Sequence, residues 1–234
     1  MQTNPARLSA AFARLFPAGV VACELREPAD QALLLAAEAA CLGRSVPKRI
    51  QEFTAGRLCA RRALAEFGIQ THGLAVRPDR QPDWPEAVVG SITHTTGLCA
   101  AVVGERRSFA ALGLDSEVVA DVTRTIWPKI AHASEIRWLE SLPPGSRAAA
   151  GALIFAAKEA FYKCQYPLTA ERLGFHDLEV CVEPQDWDAA HGEFRIRPLR
   201  SIDFEAHAAK PYRGRFLLHE EYISAGVAAV ARPQ

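Results

Sequence analysis

The chain is predicted to adopt an α+β fold of two similar halves, and three observations carry that prediction. Helical segments followed by mostly antiparallel strand segments occur in this order twice along the sequence. The 234 residues suffice for one large domain or two of roughly a hundred residues each. The composition, 49% hydrophobic and 23% charged, is that of an ordinary globular chain. The boundary is expected near residue 110, giving halves 1–110 and 111–234.

In the first half, Leu8, Phe12 and Leu15 recur at helical spacing and predict an amphipathic helix over about 6–16. Arg14 and Pro17 interrupt the apolar stretch that a signal peptide needs. A strand over about 18–25 and a helix over about 30–42 follow. The segment PKRIQEFTAGRLCARRALAEFG reads as a long helix, with Pro47 suited to its first turn and Gly68 to its end. After the Pro-rich loop RPDRQPDWPEA come two β-rich stretches, VVGSITHTTGLCAAVVG and RSFAALGLDSEVV, divided by Gly104 to Arg107.

The second half repeats that order loosely. Helical material over about 121–142 is interrupted by Pro128. The PPGS turn then offers Ser146 as N-cap for a helix reaching about Tyr166, where Pro167 is expected to stop it. FHDLEVCVE, GEFRIRPL, GRFLLHEEY and ISAGVAAVA are strand candidates. No repeat is visible by residue identity.

Lys plus Arg and Asp plus Glu both number 27, so net charge favours neither nucleic acid nor an acidic membrane as partner. No uninterrupted apolar run approaches the roughly 18 residues of a membrane span. The six cysteines are scattered without CxxC or zinc spacing and read as reduced thiols of a cytoplasmic protein.

Three constellations carry chemistry. In LGLDSE, Asp115 and Glu117 lie two apart on an extended segment and so share one face at the end of an apolar strand. Two hard carboxylates on one face suit Mg²⁺; a solvated strand end is the plainer reading. In FAAKEAFYK, Lys158, Glu159, Tyr162 and Lys163 fall within an arc of roughly 140° of a helix, with Leu153, Ala157, Ala160, Phe161 and Cys164 opposite. Glu159 and Lys163 form an i,i+4 pair worth a few tenths of a kcal/mol on a surface. They also suit a metal–polyphosphate site, as a third carboxylate beside two ammonium groups.

The third constellation, VGSITHTTG, reads as a turn of small and hydroxyl residues between Gly90 and Gly97. His94 near its centre is either a phosphate donor or a structural turn histidine. Arg49, Arg57 and Arg61 lie on the long helix, and Arg49 and Arg57, eight apart, share a face. Arg80 sits in the Pro-rich loop. Each arginine is either solvated or suited to phosphate.

In the order EFTAGRLCARRAL, PDWPEAVVGSITHTTGLCAAVV, LGLDSE and FAAKEAFYK, the chain resembles the 4'-phosphopantetheinyl transferases. Within that family it resembles the enterobactin-synthetase component D kind of the surfactin-synthetase activator group. The likeness covers roughly residues 45 to 165. Ser116 stands where the family often has an aliphatic residue, and the C-terminal region offers no matching motif.

The resemblance implies transfer of the phosphopantetheine arm of coenzyme A to a serine of an apo acyl or peptidyl carrier protein, releasing adenosine 3',5'-bisphosphate. It implies Mg²⁺, or Mn²⁺ in its place, on Asp115, Glu117 and Glu159. It puts Lys158 and Lys163 beside the pyrophosphate, and Arg49, Arg57, Arg80, Thr93 and His94 around the nucleotide. Glu159, directly or through a water, is the candidate base, and Lys163 stabilises the leaving phosphate. The implied fold has two halves related by a pseudo-twofold with coenzyme A between them, acting as a monomer. Its carrier partner is an acidic helical domain. A basic stretch at 195–215, with Arg195, Arg197, Arg200, Lys210, Arg213 and Arg215, is a candidate docking surface or a solvated strand face. Another Mg²⁺-dependent transferase and a non-catalytic coenzyme A-binding module are the competing readings.

Overall fold

A computed structural model describes residues 5–26, 28–71, 73–182, 190–204 and 212–232. The chain divides into two compact units, Met1–Ser108 and Phe109–Gln234, each built of helices and an antiparallel sheet.

The first unit contains β1 (Arg7–Leu8), α1 (Ala10–Ala13), β2 (Val20–Leu25), α2 (Ala36–Ala39), α3 (Pro47–Ala65), β3 (Val88–Thr95) and β4 (Leu98–Glu105). Its sheet runs β1-β2-β4-β3, every pair antiparallel. α3 buries Ala55, Leu58, Cys59, Ala60, Ala63 and Leu64 against Cys23, Leu25, Cys99, Ala101 and Val103 of the sheet. Each leucine buried this way contributes about 1.5–3 kcal/mol. Pro47 occupies the first turn of α3 as expected, and Gly68 follows its end at φ 69°.

Three expectations for this unit are corrected. The helix over 6–16 shrinks to the four residues of α1, because Arg7 and Leu8 pair with Glu24 and Cys23 instead. Ser9 caps α1, its Oγ accepting from the N–H of Phe12. The helix over 30–42 breaks into a 3₁₀ turn, Gln31–Leu33, and the short α2, with Leu34 and Leu35 extended between them. The cause is Glu38, fully buried, whose carboxylate accepts from the N–H groups of Leu35 (3.0 Å) and Leu74 (3.1 Å) and meets Arg61 Nη1 at 3.5 Å. Finally, SITHT is strand rather than turn. It forms β3, and only Thr96 and Gly97 make the turn, Gly97 at the φ of 76° that such a two-residue turn requires.

The second unit contains β5 (Phe109–Val118), α4 (Trp127–Ile130), α5 (Ala133–Ser141), α6 (Arg147–Thr169), β6 (Leu178–Val182), β7 (His191–Pro198), β8 (Arg213–His219) and β9 (Tyr222–Val230). Its sheet runs β5-β9-β8-β7-β6, again antiparallel throughout. The core joins Ala157, Ala160, Phe161 and Cys164 of α6 to Ala111, Phe194, Phe216, Ile223, Ala225 and Val227. Gly113 lets the helix backbone rest on β5, since a Cβ there would lie 1.8 Å from the carbonyl oxygen of Ala160.

Two details of α6 depart from expectation. Ser146 ends the 3₁₀ turn Pro144–Ser146 in helical conformation and makes no side-chain cap. Pro167 does not stop the helix, which runs on to Thr169 and closes at Ala170, a left-handed residue whose N–H bonds the carbonyl of Tyr166 at 2.9 Å. So close to the end, the proline removes a hydrogen bond from one turn only. Pro128 likewise sits in the first turn of α4 rather than breaking a helix. All six cysteines are free, four of them buried. Among the described residues, no helix is long and apolar enough to cross a membrane.

Candidate active site

Strand alternation places Ala111, Gly113, Asp115 and Glu117 on the face of β5 that α6 covers. The strand is apolar until Asp115, so the two acids emerge under the helix where it passes Glu159 and Lys163. Lys163 Nζ donates to Asp115 Oδ1 at 2.6 Å and to the carbonyl of Leu114 at 3.2 Å. Asp115 is 5% exposed. Burial raises the Glu117 carboxyl to about 8, and the neighbouring negative charge of Asp115 adds to this, with Lys163 opposing it. Burial and Asp115 also raise Glu159. Three carboxylates from two distant stretches of sequence thus crowd one partly buried place with a single lysine between them.

Hard oxygen donors crowded together in a partly buried place are the donor set that a small divalent cation satisfies. Among the described residues, no three His, Cys, Asp or Glu side chains stand close enough to grip an ion as they are. The Lys163 ammonium already holds one oxygen of Asp115.

Lys158 does not join this group, which corrects the expectation that it faces pyrophosphate. It is 2% exposed, and its ammonium donates to Glu135 Oε2 (2.6 Å), the carbonyl of Ile130 (2.8 Å) and the carbonyl of Phe175 (2.9 Å). An ammonium has three donors and all are used. Burial lowers its pKa, with Glu135 opposing the shift. The two aromatics of the charged helix face are also spoken for. Phe155 stacks on Phe175 at 5.2 Å and Tyr162 on Tyr166 at 5.4 Å.

In the first unit, α3 and the end of β3 bring Arg49 and His94 together. Arg49 Nη1 lies 3.3 Å from His94 Nε2, which accepts from it only in the tautomer left unprotonated there. Glu52 Oε2 lies 3.3 Å from the same nitrogen. Two turns further along α3, Arg57 is 5% exposed, with its guanidinium 4.2 Å over the Phe53 ring. Its Nε is buried without a hydrogen-bond partner, and burial pushes its pKa down to about 10. A buried cation lacking an acceptor suits an anionic ligand.

Thr93 is fully buried and, as a strand neighbour of His94, turns to the opposite face of β3. Its side chain is therefore not grouped with Arg49 and His94. Arg80 is exposed in the 77–81 turn, at φ 72°. Arg61 is taken by Glu38 and by the carbonyl of Leu33 at 2.6 Å.

Sequence reasoning missed two carboxylates here. Glu52 follows Arg49 by one helical turn, a signal open to inspection. Glu135 closes a capping box with His132, whose N–H it accepts at 2.6 Å; the H-x-x-E spacing marks a helix start but not the distant lysine.

This α+β architecture with its acid–lysine centre belongs to a known class of transferase. Residues 37–104 match the 4'-phosphopantetheinyl transferase N-terminal domain, and residues 111–225 match the 4'-phosphopantetheinyl transferase superfamily. The chain is 36% identical over 228 residues to the 4'-phosphopantetheinyl transferase Npt of Nocardia iowensis, covering 92% of this chain and 97% of that one. It is 38% identical over 120 residues to the enterobactin synthase component D of Salmonella typhimurium, covering 50% of this chain and 48% of that one. A crystal structure of Thermotoga maritima holo-[acyl-carrier-protein] synthase aligns over 52% of this chain and 63% of that one, at 23% identity and a TM-score of 0.36. The chain belongs to the 4'-phosphopantetheinyl transferase superfamily. It is an enzyme that transfers phosphopantetheine to carrier proteins.

Proposed function

We propose that the reaction is centred on Asp115, Glu117, Glu159 and Lys163, with coenzyme A as donor and a serine hydroxyl of an apo carrier protein as acceptor. The observation that carries this reading is the convergence of three carboxylates and Lys163, with Lys163 Nζ 2.6 Å from Asp115 Oδ1. Asp115, Glu117 and Glu159 are the residues that would hold Mg²⁺, or Mn²⁺ in its place, which when bound supplies positive charge to the pyrophosphate oxygens.

In the transfer, the serine oxygen forms a bond to the β-phosphorus of coenzyme A. The bridging P–O bond breaks, and its electrons leave with adenosine 3',5'-bisphosphate. Lys163 neutralises the charge that develops on that leaving phosphate. A water held by Glu159 is the candidate base for the serine proton, because a carboxylate engaged with a cation would itself be a weak base.

The first unit, on this reading, holds the nucleotide. Arg57, buried and short of an acceptor at Nε, binds a phosphate, with Arg49 and His94 beside it. Arg80, exposed in its loop, would add a further cation for the nucleotide. Thr93 contributes through its backbone, since its side chain lies on the other face of β3.

We further propose a monomer acting in the cytoplasm on an acidic helical carrier, with neither nucleic acid nor membrane as partner. Resemblance to enterobactin synthase component D favours a siderophore or related secondary-metabolite pathway. Arg195, Arg197, Arg213 and Arg215 are exposed on β7 and β8, with Arg195 directly opposite Arg213. Arg197 pairs with Glu179 and Arg215 with Glu193, and the charge that would draw such a carrier centres on Arg195 and Arg213. Arg200 is engaged by Glu171 and Asp177, and Lys210 lies outside the described residues.

The test is the mass of an apo carrier protein after incubation with coenzyme A and Mg²⁺. A serine-linked phosphopantetheine that disappears in EDTA is the expected result. Modification that proceeds equally in EDTA would remove the metal from the reading. Binding of coenzyme A with no modification of several carriers would leave a binding module.

A further inference from the structure

Lys158 and Glu135 are buried together, each side chain 1% exposed, and they tie four elements to α6. Glu135 Oε2 takes the N–H of His132 at the start of α5 and the ammonium of Lys158. Its Oε1 takes the N–H of Val180 on β6 at 2.7 Å. Lys158 in turn reaches the carbonyl of Ile130 at the end of α4 and that of Phe175 ahead of β6.

The first unit contains the same arrangement with different residues. Glu38 takes the N–H of Leu35, three residues before it, and of the distant Leu74, while Arg61 of α3 meets the carboxylate and donates to the carbonyl of Leu33, five residues before Glu38. His132 and Ile130 stand at the same offsets from Glu135. A buried glutamate on a short helix, fixed by two backbone N–H groups, thus grips one cation of the long helix in each unit. The device recurs in both units, and in the second the residue after the gripped cation is Glu159.

We propose that Glu135 is a positioning residue for the transfer reaction. By holding Lys158 it sets the rotation of α6, and so the direction in which Glu159 and Lys163 leave the helix toward Asp115 and Glu117. This inference rests on the proposed reading of that site. Side chains one and five residues beyond the grip turn with the helix. A small rotation therefore moves both of them relative to the acids on β5, and the grip acts together with buried Phe161 and the close approach of Ala160 to Gly113 in setting that rotation.

The experiment compares two double substitutions, Glu135→Gln with Lys158→Met, and Glu38→Gln with Arg61→Met. Each removes both charges of one grip, so neither leaves an uncompensated buried ion. Melting temperature, Mn²⁺ affinity by electron paramagnetic resonance, and kcat with KM for coenzyme A are measured below the melting transition. The expected result for Glu135→Gln with Lys158→Met is Mn²⁺ binding about tenfold weaker and kcat at least about tenfold lower, with KM for coenzyme A within about twofold. Glu38→Gln with Arg61→Met is also expected to cost stability but to leave Mn²⁺ affinity unchanged. Wild-type kcat and Mn²⁺ affinity in the folded Glu135→Gln with Lys158→Met protein would overturn the proposal, as would equal loss of Mn²⁺ affinity in both double variants. If the wild-type protein modified no carrier, the reading of the site would fail instead, a result separate from either of these.

Discussion

The two long helices, α3 and α6, lie on their sheets in the same manner and differ in the sign of what they present. Each is held through one cation, Arg61 or Lys158, by a buried glutamate. Immediately after that cation, α3 carries Arg62 with Glu66 four residues on, an exposed ion pair, whereas α6 carries Glu159 followed by Lys163. The order of charge is reversed. On α6 the carboxylate and the lysine reach two further acids on β5; on α3 the pair stays on the surface. One frame therefore supports a surface ion pair in one unit and a carboxylate cluster in the other.

The sharpest break in this comparison is removal of a gripped cation. Lys158→Met leaves Glu135 buried beside an apolar chain and is expected to cost about 3–5 kcal/mol, read by denaturant unfolding. Arg61→Met is expected to cost less, because Arg61 keeps some contact with water, its side chain being 16% exposed against 1% for Lys158. Equal losses would mean that the two grips are energetically alike.

Close approach of helix to sheet gives the next contrast. Gly113→Ala puts a methyl group into the backbone carbonyl of Ala160 and is expected to cost about 3 kcal/mol. Gly56→Ala meets Ile92 Cγ2 at 2.9 Å, the end of a side chain that can shift, and is expected to cost about 1 kcal/mol. Thermal unfolding of the two variants ranks them.

The acid cluster of the second unit should carry a pH signature. Glu117 is raised from 4.5 to about 8 in the fold, so between these values the folded chain binds more protons than the unfolded chain. Stability of the metal-free protein therefore falls as pH rises through that window. Added Mg²⁺ should counter the fall, since it favours the ionised carboxylates. Melting temperatures at pH 5 and pH 8, with EDTA and with Mg²⁺, read both effects. The smallest effect belongs to the surface pair, where Arg62→Ala is expected to cost a few tenths of a kcal/mol by the same unfolding measurement.

Much of this was legible in the sequence where the signal is local. Pro47 and the long periodic stretch marked α3, the two-residue spacing of Asp115 and Glu117 put both acids on one face, and the apolar side of α6 was read correctly from Leu153 to Cys164. What misled were cases in which a distant partner overrides the local pattern. Helical periodicity gave Lys158 to the same arc as Lys163, but Glu135, 23 residues away on its own short helix, draws it inward. Glu38 does the same to the segment 30–42, turning a continuous helical pattern into two short turns. The hydroxyl-rich SITHT looked like a turn because Ser and Thr favour turns, yet pairing with β4 fixes it as strand. The repeat between the units escaped identity matching because the gripped cation is arginine in one and lysine in the other, and what recurs is a set of backbone offsets.

The claim that chemistry resides in the acid–lysine cluster of the second unit is tested most directly by Lys163→Met, assayed with saturating coenzyme A, Mg²⁺ and apo carrier. Removing Lys163 leaves Asp115 without that cation, so the variant is assayed below its own melting transition with Mg²⁺ present. Its kcat is expected to fall about 10²- to 10³-fold, the usual consequence of removing one group that stabilises developing charge. A folded Lys163→Met protein that modifies the carrier at close to the wild-type rate would contradict the account.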